Sequence, residues 1–242
     1  MRFGALAALE GIDLTIAAGE RVALVGPSGA GKSTLISVLN GTLRPTSGGV
    51  DVGGQDLAAC SPRQLKAAQA RIGTIHQQFD LVGPLRVVHN VNGGRLCRWS
   101  LAKASWSLLA PREVEGAEAA LARVGIAGKL FERTDRLSGG EQQRVALARV
   151  LVQGPDAILA DEPIASLDPA RAREVMDLLR DLAIELGRTL VVSVHAYEYA
   201  TTHFDRVVGL RDGRVALDAP ASAVDPGAAA ALYRISDAER GR

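Results

Sequence analysis

Gly26-Pro27-Ser28-Gly29-Ala30-Gly31-Lys32-Ser33-Thr34 is the segment from which the rest of the chain is best read. It satisfies G-x-x-x-x-G-K-[ST] at every fixed position, with Gly26, Gly31, Lys32 and Ser33 in place. Ahead of it the apolar run Arg21–Val25 reads as a buried strand. Behind it Leu35–Asn40 is helical in pattern and is stopped by Gly41. Glycines permit backbone angles that a Cβ forbids, so successive N–H groups can turn toward one anion. The helix opening at Lys32 adds the positive end of its dipole. Lys32 is expected to reach β- and γ-phosphates, and the Ser33 hydroxyl to bind Mg²⁺. The stretch predicts a nucleoside triphosphate site.

Outward from this loop, Ile12–Ile16 alternates apolar and polar residues as a half-buried strand does, and Ala17–Glu20 turns into the strand that feeds the loop. Downstream, Gly48-Gly49 and Gly53-Gly54 bracket a short strand, Val50–Val52, which predicts an antiparallel patch beside the nucleotide. Ser61-Pro62-Arg63-Gln64 has an N-cap serine, proline at the first helical position and glutamine at the third, a helix start. Arg71–Ile75 returns to strand character.

Residues 78–137 are rich in Ala, Leu and Arg, hold both tryptophans (Trp99 and Trp106), and predict a helical subdomain inserted into the core. A helix begins at Ser138, runs to Val152 and is closed by Gly154-Pro155. Ala157–Ala160 is a buried strand ending at Asp161-Glu162. Asp168-Pro169 caps a helix that extends to Leu186 and stops at Gly187. Thr189–Val194 is strongly strand-like, and Val207–Leu210, Asp212-Gly213 and Val215–Leu217 read as a hairpin.

The expected architecture is a single α/β domain. Residues 1–77 and 138–218 form a P-loop NTPase core with a mostly parallel sheet, flanking helices and a small antiparallel patch; 78–137 form the helical insert; 219–242 form a peripheral helix and tail.

A chain of 242 residues can bury a large core, and 47% hydrophobic with 23% charged residues is ordinary for a globular protein. A net charge of +1 gives no global field for nucleic acid or anionic lipid. Cys60 and Cys97 form neither a metal spacing nor a disulfide framework and suit a reducing cytoplasm. The apolar run Val145–Val152 is cut by Arg149 and falls well short of the ~18 residues of a membrane helix. No convincing signal peptide leads the chain, so a membrane role is expected to come through a partner.

Three further motifs decide the class. In Leu137-Ser138-Gly139-Gly140-Glu141-Gln142-Gln143-Arg144, Ser-x-x-Glu starts a helix by itself as a capping box. That leaves two consecutive glycines in the first turn unexplained, since they cost helix stability unless something approaches the backbone closely. A phosphate arriving from another subunit fits that need. Next, Asp161-Glu162 lies at the C-terminal end of a buried strand, where α/β sheets place ligand chemistry. Asp161 is expected to hold Mg²⁺ directly or through water, and Glu162 to orient and polarise the water attacking the γ-phosphoryl group. The third, His195, ends another strand and is expected to contact the γ-phosphate. Ser166-Leu167-Asp168 follows the acidic pair closely enough to communicate with it, and Asp168 also suits the next helix's N-cap.

In this order, GPSGAGKST, Gln77, LSGGEQQR, ILADEP, SLD and His195 resemble the ATP-binding subunit of ABC transporters from about Ala8 to Leu217. The resemblance implies ATP hydrolysis with Mg²⁺ in a head-to-tail homodimer, each ATP held between the phosphate loop of one subunit and Ser138–Glu141 of the other. It gives Gln77 a catalytic and Mg²⁺-coordinating role and makes it the link to the helical insert, whose surface grips a membrane permease. Phe3 takes the place of the aromatic that stacks on adenine, although the family's first strand is largely missing here. His76 stands where the family usually has an apolar or aromatic residue, and Glu141 where glutamine is commoner.

The stretches Gln77–Gly83, Val88–Val91, Gly94–Leu96 through Trp99, Leu108-Leu109, Pro111–Glu113, Asp161–Pro169 and Asp205–Leu210 look like the phosphonate importer ATPases. That similarity implies an importer of phosphonate or a related phosphorus oxyanion. Its ATPase would lie peripherally on the cytoplasmic face of the inner membrane, with a periplasmic or surface solute-binding protein as an indirect partner. An amino-acid importer or a lipid or lipoprotein exporter with a similar cassette is the alternative. A DNA-associated ATPase with this head carries a long coiled coil between its motifs, and no sustained heptad is present. A small-molecule kinase has no use for LSGG and His195.

Overall fold

The computed structural model describes residues 1–165, 167–225, 227, 232 and 233. A short hairpin, β1 (Arg2–Phe3) and β2 (Leu6–Ala7), precedes the first core strand, β3 (Arg21–Val25), and the helix α1 (Lys32–Leu39). Then come β4 (Asp51–Val52), β5 (Gln55–Asp56), α2 (Pro62–Gln69) and β6 (Ile72–Ile75). The next stretch folds as α3 (Val87–Asn92), a 3₁₀ segment Gly93–Arg98, α4 (Leu101–Leu109) and α5 (Val114–Arg123). Completing the order are α6 (Gly139–Gln153), β7 (Ala157–Asp161), α7 (Pro169–Leu186), β8 (Thr189–Ser193), α8 (Tyr197–His203), β9 (Arg206–Arg211) and β10 (Arg214–Pro220).

Six strands form one sheet in the order β10-β9-β3-β8-β7-β6, parallel except for the β9–β10 hairpin. The strand period of two sorts side chains onto two faces. Val22 and Leu24 of β3, with Leu159, Val191 and Val208, pack against Leu35, Ile36 and Val38 of α1. Ala23 and Val25, with Ala160, Val192 and Val207, pack on the other face against Val145 and Ala148 of α6 and Met176 and Leu179 of α7. Strands covered on both sides read as continuous apolar runs, which is why β3, β7 and β8 stand out in the sequence.

Local chemistry explains the boundaries. Capping boxes are closed at Ser61 with Gln64 and at Ser138 with Glu141, Asp168 caps α7, and Gly154 and Gly187 end α6 and α7 in left-handed conformation. Ile12–Ile16 departs from expectation. Its residues alternate in exposure, but none lies in an assigned strand. Alternation records which side chains face the core, whereas a strand also needs a paired backbone, and here the Thr15 carbonyl is taken by the Arg206 side chain at 2.8 Å. The helix expected within 219–242 falls almost wholly outside the described residues; β10 reaches Pro220 and a 3₁₀ turn covers Ala221–Ala223. Among the described residues no helix is long and apolar enough to cross a membrane.

The 3₁₀ segment lies hard against α6: a Cβ added at Gly94 would stand 2.1 Å from the Arg149 carbonyl oxygen. Replacing glycine by alanine ordinarily stabilises by up to about 1 kcal/mol where the backbone allows it. Here the clash of the new Cβ with a backbone carbonyl wins. Gly94→Ala is expected to lower the unfolding free energy by about 1–3 kcal/mol, read from the urea midpoint at unchanged slope.

Candidate functional site

The C-terminal ends of β3, β7 and β8 lie side by side, and each delivers one group. From β3 the chain enters the glycine loop. Gly26 has a φ of 143°, and a Cβ there would sit 2.1 Å from the Leu210 carbonyl oxygen, so only glycine fits. Gly31, at φ 101°, opens α1, whose first turn has no side-chain cap. Its leading N–H groups can therefore serve an anion. Lys32 is buried, with its ammonium donating to the Gly26 carbonyl at 2.8 Å and the Pro27 carbonyl at 3.1 Å. Burial pushes its pKa down, and the charges of Glu162 and Asp161 partly restore it. Ser33 is exposed at the same helix start.

At the end of β7, Glu162 has a left-handed φ of 48°. A non-glycine residue held there costs about 1–3 kcal/mol, so its surroundings must fix it. Ser193, fully buried on β8, does so twice: its hydroxyl accepts the Glu162 N–H at 2.8 Å and donates to Asp161 Oδ1 at 2.7 Å. Gln143 of α6, also fully buried, donates to the Pro163 carbonyl on the far side of Glu162. Glu162 Oε1 is then placed 2.6 Å from His195 Nε2 and 4.0 Å from Lys32 Nζ. A carboxylate between a cation and an imidazole, beside a helix N-terminus, can hold and polarise a water next to a bound phosphate.

The structure thus brings Lys32, Glu162 and His195 together, with Asp161 tied to the same serine. His195 meets Glu162 in this arrangement. Gln77 is exposed; Ile75 pairs with Ala160, so Gln77 and Glu162 each stand two residues past that pair on adjacent strand ends. The loop after β6 is clamped from α6, where the Arg149 guanidinium donates to the Phe79 and Asp80 carbonyls, each at 2.8 Å. His76 lies 3.7 Å from Asp80 in that loop.

Ser138 and Glu141 cap α6, and Glu141 also pairs with Lys129 at 3.4 Å. An added Cβ at Gly139 would meet nothing within 4 Å, and one at Gly140 only Arg171 Cδ at 4.0 Å. Among the described residues, packing therefore does not require either glycine. Asp168 accepts the Arg171 N–H at 3.1 Å, and Ser166 lies outside the described residues. Phe3, in the short hairpin, is 47% exposed.

Ser193, Gln143 and Arg149 were not legible as site residues from sequence. The one available signal was polarity out of place: a serine closing an apolar strand, and an arginine inside the apolar stretch of α6.

Comparisons with known proteins give the chain its family. The family described as ABC transporter matches residues 9–165. A protein of Anaeromyxobacter dehalogenans called Phosphonates import ATP-binding protein PhnC is 54% identical over 92% of this chain; the chain spans 44% of that protein's length. A protein of the same name from Pseudomonas fluorescens is 47% identical over 93% of this chain and 85% of its own length. Among solved structures, a dimeric bacterial ABC transporter cassette superposes with a TM-score of 0.78 at 31% identity, covering 90% of this chain and 93% of that one. A dimeric post-hydrolysis cassette bound to ADP and Pi superposes at 0.76 with 30% identity, covering 93% and 96%. The chain belongs to the ABC transporter family, and its fold is that of the ATP-binding cassette.

Ser193→Ala would leave Asp161 Oδ1 and the Glu162 N–H without their shared partner. It is expected to lower the unfolding free energy by about 1–3 kcal/mol. Nucleotide turnover is expected to fall by about tenfold or more, because each 1.36 kcal/mol of lost positioning costs a factor of ten. Urea unfolding and a phosphate-release assay on one preparation check both.

Proposed function

We propose that this ABC transporter family member is the ATP-hydrolysing, energy-coupling subunit of an importer for phosphonate or a related phosphorus oxyanion. The observation that carries the reaction is the meeting of Lys32, Glu162 and His195 at adjacent strand ends above an uncapped helix N-terminus. Lys32 and the backbone amides of Gly29 and of Gly31 to Thr34 hold the phosphates, while the Ala30 N–H bonds the Pro27 carbonyl at 3.2 Å within the loop. Glu162 orients the attacking water, and His195 holds the Glu162 carboxylate in place and faces the γ-phosphate. Pro27, Ser28 and Ala30 shape the loop, and Phe3 stacks on adenine.

Hard oxygen donors suit Mg²⁺: the exposed Ser33 hydroxyl, the Asp161 carboxylate and the Gln77 amide oxygen. Among the described residues no cluster of His, Cys, Asp and Glu offers a softer metal an alternative. Mg²⁺ bound by these three would neutralise β- and γ-phosphate charge.

The assembly is a head-to-tail homodimer, in which Ser138–Glu141 of one subunit closes over the nucleotide of the other and Leu167-Asp168 lies between the two sites. Open space above Gly139 and Gly140 supports this, since a phosphate can approach that backbone. Residues 78–137 act as the subdomain that engages the permease. Leu101 at 88% and Leu109 at 81% exposure leave α4 with apolar surface for such a partner. The protein then sits peripherally on the cytoplasmic face of the membrane, with a solute-binding protein served indirectly through the permease. The cargo rests on the names of relatives at 47–54% identity, because an ATPase does not touch what is transported.

Two experiments test these layers. Glu162→Gln is expected to keep ATP binding, abolish turnover and accumulate as a dimer on size-exclusion chromatography; unchanged turnover removes the role given to Glu162. For the cargo, isotope-labelled phosphonate uptake should vanish when the gene is deleted, return with the wild-type gene and fail to return with Lys32→Ala. Uptake untouched by deletion contradicts the phosphonate assignment.

A further inference from the structure

The β3–β8 ladder runs in register as far as Leu24 opposite Ser193, and its last bond joins the Val194 N–H to the Leu24 carbonyl at 2.9 Å. In a parallel ladder the following bond would run from the Gly26 N–H to the Val194 carbonyl. Instead the Gly26 N–H reaches the Tyr233 hydroxyl at 3.3 Å, and that hydroxyl donates to the His195 carbonyl at 3.1 Å. Beyond Leu24 and Val194 the two strands splay, one toward the phosphate loop and the other toward the histidine. A phenol from the far end of the chain fills the fork, using both its acceptor and its donor.

The anchorage of that phenol is specific. Its neighbour Leu232 is buried against Gly209, where an added Cβ would stand 2.6 Å from a Leu232 methyl group. The Tyr233 ring packs on the same core cluster as Val25 and Val194. Burial pushes the Tyr233 phenol above its ordinary pKa, so it stays a donor at neutral pH. Tyr233 also lies outside residues 9–165, the part of the chain matched by the family.

We propose that Tyr233 is a positioning residue for hydrolysis, its hydroxyl bridging the fork between β3 and β8 and setting His195, and through it Glu162, against the phosphate loop. This rests on the reading of Lys32, Glu162 and His195 as an ATP hydrolysis site. The hydroxyl touches the strand-side amide of Gly26, and Lys32 and the first turn of α1 hold the phosphates. Its removal should therefore affect turnover more than nucleotide affinity.

The test uses the purified full chain, with Tyr233→Phe keeping the ring and removing only the hydroxyl. Tyr233→Phe is expected to lower kcat for ATP about five- to tenfold, the loss of a hydrogen bond of ordinary strength, with KM changed less than twofold. Imidazole resonances of the chain's histidines provide a readout that a merely structural role would not move. The His195 ring resonances should move in Tyr233→Phe while those of His89 stay in place. Unchanged kcat, or equal shifts at His195 and His89 with a large fall in Tm, overturns the proposal. Lys32→Ala separates the two levels. If wild type turns over ATP, Lys32→Ala does not and Tyr233→Phe matches wild type, the positioning role alone fails. If wild type and Lys32→Ala are equally inert, the hydrolysis reading fails and takes this inference with it.

Discussion

Because Asp161 pairs with Ser193 where β7 and β8 end, the hydroxyl that closes one strand falls beside the carboxylate that closes the other. A one-residue slip in this register would turn Ser193 to the opposite face and separate it from both Asp161 and the Glu162 amide. The left-handed backbone of Glu162 then loses its anchor, and the carboxylate loses its approach to His195 and Lys32. Burial on both faces defends the register, since Val191 and Val192 point to opposite layers of the core and neither tolerates exposure. Hydrophobic packing chooses the alignment, and the alignment assembles the polar site.

The electrostatics follow from the same arrangement. Lys32 is drawn into a buried position where desolvation disfavours its charge, and the acidic pair nearby partly offsets that cost. A buried cation whose ammonium is met by two carbonyls and by a carboxylate 4.0 Å away suits a dense anionic ligand. In the proposed reading, phosphates entering the loop displace these carbonyls from Lys32 and come to lie beside the histidine-bound carboxylate. The α6 helix joins this region to the rest of the molecule. Gln143 steadies the turn after Glu162 and Arg149 holds the loop after β6, so the helix that begins at the Ser138 cap touches two strand ends of the site.

Much of the fold could be read from sequence because its boundaries are local events. The caps at Ser61, Ser138 and Asp168 and the stops at Gly154 and Gly187 act within a few residues of themselves. So do the apolar runs of β3, β7 and β8. Ile12–Ile16 failed as a strand because pairing is not encoded in alternation. In the site, the loop and the acidic pair announced themselves through chemistry that few other contexts need. Ser193, Arg149 and Tyr233 did not, since each acts on a backbone far away in sequence, and only topology reveals where that backbone lies. The meeting of His195 with Glu162 likewise depends on which strands are neighbours.

Recognition of a chain of phosphates through Lys32 and the first turn of α1 is the property on which the rest of this site's chemistry depends. Calorimetric titration of the purified chain with ATP, ADP and AMP tests it most directly. ATP and ADP should bind, AMP should bind at least tenfold more weakly, and Lys32→Ala should erase the difference. AMP binding as tightly as ATP, or a Lys32→Ala chain with undiminished preference for ATP, would contradict the account.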